Sequence, residues 1–158
     1  MANSQQVQCA NAIMSIIQNL TLPDNTRIFD TTAELNRCFM LPYFELSNID
    51  YPCFIIHYNG IAPTDLGHNN VTNDIGYGVG VTLCDTGPMN YQDTRTDDRM
   101  WWIETVRTAF TDQRLPPITQ VYRCRVERGK PGDPFWPQYE QVYTADIIRC
   151  YYRAARLG

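Results

Sequence analysis

The stretch from Thr96 to Phe110, T-D-D-R-M-W-W-I-E-T-V-R-T-A-F, constrains the fold most, because it reads as a helix between strand-like segments. Trp102, Ile103, Val106, Ala109 and Phe110 recur at helical spacing and make one apolar face. Glu104, Thr105, Arg107 and Thr108 fall mostly on the other side. Asp97 and Asp98 sit where the N-terminal end of the helix dipole favours carboxylates, and Thr96 or Asp97 is the expected cap. Two adjacent tryptophans on so short a helix supply a large apolar surface that must cover something, and a sheet is the expected partner.

The flanking segments read as that sheet. Tyr51 to Tyr58 (Y-P-C-F-I-I-H-Y) is apolar throughout, as a strand buried on both faces is. Ile75 to Asp85 is the next strand, with Gly76, Gly78 and Gly80 on one face and Tyr77, Val79 and Val81 on the other. The bare glycine strip invites close approach of another element, and the two tryptophans are the expected occupants. Ile118 to Glu127 is a strand in which Val121, Arg123 and Arg125 alternate against Tyr122, Cys124 and Val126. Tyr139 to Arg153 is the last strand, with Arg149 and Arg153 on one face beside Tyr143 and Ile147. The last two strands are expected to form an extended C-terminal hairpin.

Upstream, residues 5–20 predict an N-terminal helix with Val7, Ala10, Ile13, Met14, Ile17 and Leu20 on one side. No charged side chain occurs between Met1 and Pro23, so its polar face is neutral and suited to lie against a partner. Arg27-Ile28-Phe29 reads as a short strand, Thr32 to Met40 as a short helix, and 42–50 as an irregular connection. Residues 61–74 and 86–95 read as long polar loops. Three prolines and two glycines in 128–137 make that segment a loop at the hairpin tip, presenting Phe135 and Trp136 to a partner. The whole, 1–158, is expected to be a single α+β domain with helices packed on one mainly antiparallel sheet.

Chemistry is sparse. Cys9, Cys38, Cys53, Cys84, Cys124 and Cys150 are widely spaced with no C-x-x-C pair, which argues against zinc-ribbon and thioredoxin-like sites and for reduced, buried thiols. His57 falls near Cys53 and Cys84 if their strands pair, so a Cys/His nucleophile is imaginable, but no family signature surrounds either thiol. Asp65, His68 and Asp74 match no metal-ligand spacing. The glycine strand lacks G-K-[ST], so it is no phosphate loop. No run reaches membrane-spanning length, and the N-terminus does not resemble a signal peptide. The sequons at Asn19 and Asn70 are therefore read as chance matches.

Charge is more informative. Residues 1–98 carry eleven acidic and three basic side chains, and residues 99–158 carry ten basic and six acidic. Of thirteen cations only Lys130 is not arginine, and arginine suits bidentate contact with carboxylates. Arg123, Arg125, Arg128 and Lys130 make a basic run suited to phosphates. The pI near 5.0 argues against nucleic acid as the main ligand and leaves only a passing contact with DNA.

The element order resembles that of bacteriophage tail terminator and tail-completion (neck) proteins. The likeness is carried by the helix Gln5 to Leu20, Arg27-Ile28-Phe29, the strand Tyr51 to Ile56, the strand Gly76 to Leu83, the helix Asp97 to Phe110 and the hairpin Val121 to Ile148. It implies a virion protein, assembled in the host cytoplasm, that forms a ring, commonly a hexamer, between tail tube and head. Its partners would be copies of itself and other tail and neck proteins; no enzymatic activity, cofactor or membrane is implied. The alternative reading is another virion binding module, such as a minor capsid, decoration or tail-tip component. A Cys-dependent enzyme is a third reading, and it requires a reactive, exposed thiol at Cys53 or Cys84. A head-to-tail ring needs two unlike, complementary patches. Arg123, Arg125, Arg149 and Arg153 are the expected positive one, meeting Asp85, Asp93, Asp97 and Asp98 of the next subunit.

Overall fold

A computed structural model describes residues 4–30, 32–35, 37–40, 51–58, 64–68, 72–85, 94–128 and 142–155, excepting the side chains of 32–33, 58, 64–68, 72–75, 142–143 and 153–155. Its backbone is a long two-stranded ladder to which everything else is attached. β4 (Thr72–Cys84) pairs antiparallel with β6 (Val142–Ala155) along almost its full length. β5 (Val121–Glu127) extends the sheet from β6 as an edge strand. On the other side of β4 lie β2 (Cys53–Tyr58) and, further along the same edge, β3 (Thr64–His68). β1 (Cys38–Met40) pairs parallel with β2, the one parallel contact in a six-stranded sheet of order β1-β2-β4-β6-β5.

Cross-strand partners project to the same side of a sheet, so the register assigns the two faces. One face carries Phe54 and Ile56, Val79, Val81 and Leu83, Ile148, Cys150 and Tyr152, and Cys124. These form a continuous core with α1 (Gln5–Gln18) and α3 (Thr94–Phe110). α1 contributes Cys9, Ala10, Ala12, Ile13 and Ile17, and α3 contributes Ile103, Val106 and Phe110. Ser4 caps α1, its hydroxyl accepting from Val7 N–H at 3.4 Å. The fold is α+β, as the periodicities require.

The opposite face carries Cys53, Ile55 and His57 beside Gly76, Gly78, Gly80 and Thr82, then Arg149 and Tyr151, then Arg125. The glycine strip therefore faces away from α1 and α3, and the tryptophans do not occupy it. The occupant at Gly80 is its cross-strand neighbour: a Cβ there would lie 2.1 Å from His57 Cε1 and 2.2 Å from Nε2. Without a side chain at Gly80 the imidazole lies flat on the strand and reaches Thr82 Oγ1 at 3.4 Å.

Gly78 has a different neighbour. β2 leaves β4 at Val79 and β3 joins at Gly76. The Gly78 carbonyl, between the described registers of β2 and β3, accepts from Gln6 Nε2 at 2.9 Å, which ties α1 to the sheet.

Several local expectations are corrected. The helix expected over 32–40 stops after one turn, α2 (Thr32–Leu35), and its second half is β1. Arg27 makes only an isolated bridge with Thr21, and Ile28 and Phe29, though both buried, belong to no strand. Part of the 61–74 segment is β3 and the start of β4. In β5 the register shifts between Val121 and Arg123, so Val121 joins Cys124 on the core side and Tyr122 becomes the extra, exposed residue. α3 begins at Thr94, which puts Thr96 and Asp97 inside the first turn, not at the cap; Thr96 is buried. The connection 42–50 and the 128–137 tip beyond Arg128 lie outside the described residues.

Candidate functional site

Two buried carboxylates fix the pitch of α3. Asp85, just beyond β4, accepts from Arg99 Nε at 2.8 Å. Asp146 on β6 takes Arg107 in a fork, Nε to Oδ2 at 2.7 Å and Nη2 to Oδ1 at 3.0 Å, and Thr144 Oγ1 donates to the same Oδ1 at 3.1 Å. Asp85 and Asp146 are only 3% and 5% exposed. A charge buried that deeply is stable only when paired and hydrogen-bonded, so these two pairs set how the helix lies. The Arg99 guanidinium also sits 4.2 Å over the Trp102 ring, which stacks on Phe54 and meets Phe29 at 6.3 Å. Trp102 thus covers the sheet as expected.

Trp101, about 100° further round the helix, points away from the sheet and is 50% exposed. It stands in a groove between α3 and the turn at residues 21–27. That turn is built by local hydrogen bonds: Leu22 N–H to Thr26 O at 2.7 Å, Asn25 N–H to Leu22 O at 2.9 Å, and Asp24 Oδ1 accepting from both Thr26 N–H and Oγ1. Asn25 takes the left-handed conformation such a turn needs, φ 66°. The Thr26 hydroxyl and N–H hold the Asp24 carboxyl below its ordinary value.

Trp101 divides the groove into hollows of about 460 and 320 Å³, both walled by Leu22 and Pro23. The first is also lined by Asp24, Arg27, Asp98 and Arg99, and the second by Glu104 and Thr108. Of the groove's two cations, Arg99 is paired with Asp85, while Arg27 donates to Gln18 O and Asn19 Oδ1, neutral acceptors that leave its charge in place among three carboxylates, Asp24, Asp98 and Glu104. Asp98 and Glu104 have no ion-pair partner among the described residues. The groove is apolar at its centre and negative at its margins.

The arginine face lies on the other side of the sheet. Arg125 stands directly across from Arg149, with Arg123 two residues away on the same face, as the hairpin reading requires. Arg123 is already paired with Asp112 at 2.6 Å, and Arg149 with Glu127 at 2.5 Å. Arg125 is exposed and has no such partner among the described residues. Arg114 and Arg128 are exposed as well.

Of the acidic residues expected opposite, Asp97 and Asp98 are on the surface, but Asp85 is buried under Arg99 and is not available to another subunit. The side chain of Arg153, and Asp93, Phe135 and Trp136, lie outside the described residues. Sequence reasoning missed Trp101, Glu104 and the 21–27 turn as one surface. The helical angle of Trp101 was a signal for it; the turn's position was not.

The thiols form two buried groups. Cys53 and Cys84 face each other across β2 and β4, and Cys124 and Cys150 across β5 and β6, with Cys9 of α1 beside Cys150 and its Sγ 3.5 Å from Tyr152 Oη. All six are buried and unbridged. The hydrogen bond with Cys53 and burial push Cys84 far above the ordinary thiol range, and burial pushes Cys38 up to about 12. His57 is on the same face as Cys53 but four residues along the strand, about 13 Å away. The pair that a Cys/His nucleophile needs is not assembled. Among the described residues no group of His, Cys, Asp or Glu is placed to hold a metal ion, and no helix is long and apolar enough to cross a membrane. Comparison with family models, with curated proteins and with solved structures finds no match to the chain.

Proposed function

We propose that this chain is a structural subunit of a phage virion, a tail terminator or neck ring protein that assembles head to tail with copies of itself and joins the tail tube to the head. One observation carries the reading: among the described residues, unpaired charges of opposite sign stand on two unlike surfaces. Asp98 and Glu104 flank the Trp101 groove on the outer side of α3, and Arg125 lies on the far face of the sheet, three residues before the exposed Arg128. A ring closed by rotation uses two different patches per subunit, one for each neighbour. The N-terminal helix, the single, mainly antiparallel sheet and the helix across it also support this reading, being the architecture of the proteins the sequence resembles. In it the subunit's work is mechanical, and no chemistry is asked of the buried thiols.

Electron microscopy of the purified protein tests the proposal. Closed rings of uniform diameter are expected. Uniform particles of single-chain size would contradict it.

A further inference from the structure

We infer that the groove beside Trp101 receives the β5 edge of a second copy of this chain, with Tyr122 entering against the indole and Arg125 reaching the carboxylates at the groove's margin. The inference rests on the ring reading and names its contact.

Trp101 and Tyr122 are the large apolar side chains left exposed among the described residues, at 50% and 36%. Exposed aromatic anchors of this kind dominate protein interfaces when a partner covers them. Their surroundings are complementary. Among the described residues Asp98 and Glu104 flank the indole without an ion pair; of the groove's arginines Arg99 is neutralised by Asp85, and Arg27 alone stands against the groove's carboxylates. Tyr122 is the extra residue of the β5 bulge, off the core-side alternation that buries Val121 and Cys124. Arg125, three residues on, faces Arg149 across the ladder, and Glu127 is already taken by Arg149. Arg125 is thus left without a carboxylate partner among the described residues.

The two surfaces cannot meet within one subunit, because α3 lies on one face of the sheet and Arg125 on the other. Each patch therefore needs its own neighbour, which makes the contact heterologous. Part of the β5 edge is also closed to strand addition. Cys124 N–H donates to Gln113 O at 2.7 Å and Cys124 O accepts from Asp112 N–H at 3.0 Å. The edge is therefore offered through its side chains more than through a continued ladder.

The test is charge exchange on the full chain, read by native mass at low salt. Circular dichroism checks that each variant folds, as exposed substitutions should allow. Arg125→Glu and the pair Asp98→Arg with Glu104→Arg should each weaken association at least about tenfold, and the three changes together should restore it. If the groove variant keeps the wild-type oligomer, the groove is not the interface, and the ring reading survives through other contacts. If both variants dissociate and the combination does not reassociate, the two surfaces do not meet and the inference is overturned. A wild-type protein of single-chain mass at every concentration overturns the inference and the ring reading together.

Discussion

Replacing Gly80 with alanine adds one methyl group at the point where the sheet is least able to receive it. The new carbon would sit 2.1, 2.2 and 2.6 Å from Cε1, Nε2 and Nδ1 of His57, where carbon contacts normally settle near about 3.5–4.0 Å. Three atoms of one rigid ring are involved, so no rotation of a flexible tip relieves the clash. The imidazole must swing off the strand or β2 must part from β4. His57 is buried and its Nε2 is bonded to Thr82 Oγ1, so displacement adds a lost hydrogen bond to the overpacking. Overpacking costs about 1–3 kcal/mol and the bond about 0.5–1.5 kcal/mol. Gly80→Ala should therefore destabilise the protein by about 2–4 kcal/mol. Urea unfolding followed by circular dichroism measures this as a midpoint lowered by roughly 1–2 M. Adding His57→Ala to Gly80→Ala removes the clash, so the two changes should couple favourably by at least about 1 kcal/mol. An alanine variant within about 0.5 kcal/mol of wild type, or strictly additive changes, would refute the packing argument.

Arg107→Met leaves the Asp146 carboxylate buried without its fork partner and should cost about 3–5 kcal/mol, most of it recovered by Arg107→Met combined with Asp146→Leu. A single variant as stable as wild type in the same urea assay would show that this pair does not anchor α3. The thiols predict alkaline lability. Burial raises Cys38 from 9.0 to about 12, and hydrogen bonds with Cys53 and Cys124 raise Cys84 and Cys150, while only Cys9 moves down, through its bond with Cys150. Folded-state values above the unfolded ones contribute stability that is complete below the unfolded value and lost as pH rises toward the folded one. Melting temperature should be insensitive to these thiols up to about pH 9 and fall between about 9 and 12; a flat profile there would contradict the buried, neutral thiols. Because all six thiols are buried, native protein at pH 8 should label slowly with iodoacetamide, and rapid labelling of Cys53 or Cys84 would reopen the enzyme reading.

The two long helices were legible because each carries enough turns for the 3.6-residue period to show. The long strands were legible through β-branched and aromatic runs. β1 and β3 were not. Three residues, Cys38 to Met40, are too few to display a period, and their pairing with β2 depends on a partner distant in sequence. Thr64-Asp-Leu-Gly-His68 has a single strong strand former and becomes β3 only because β4 runs on past the end of β2 and offers it an edge.

The glycine strip shows what period two can and cannot reveal. It places Gly76, Gly78 and Gly80 on one face, but which face the helices cover depends on the register against β2. With Cys53 opposite Cys84, His57 falls on Gly80 and the tryptophans fall on the other side. At the candidate site, Asp97 and Asp98 were legible as surface carboxylates from their place on α3. Asp85 was misread because Arg99, fourteen residues on, folds back to bury it. The bulge at Tyr122 left only a faint mark in the sequence, the adjacent apolar pair Val121-Tyr122 ahead of the regular alternation R-C-R-V.

Self-assembly through two unlike faces is tested most directly by the mass of the native wild-type particle in solution. One closed species at a fixed multiple of the 18.3 kDa chain mass is expected, six copies being the number the resemblance implies, and raising salt should slow its formation. A particle of 18.3 kDa that stays single at every concentration and salt would contradict it.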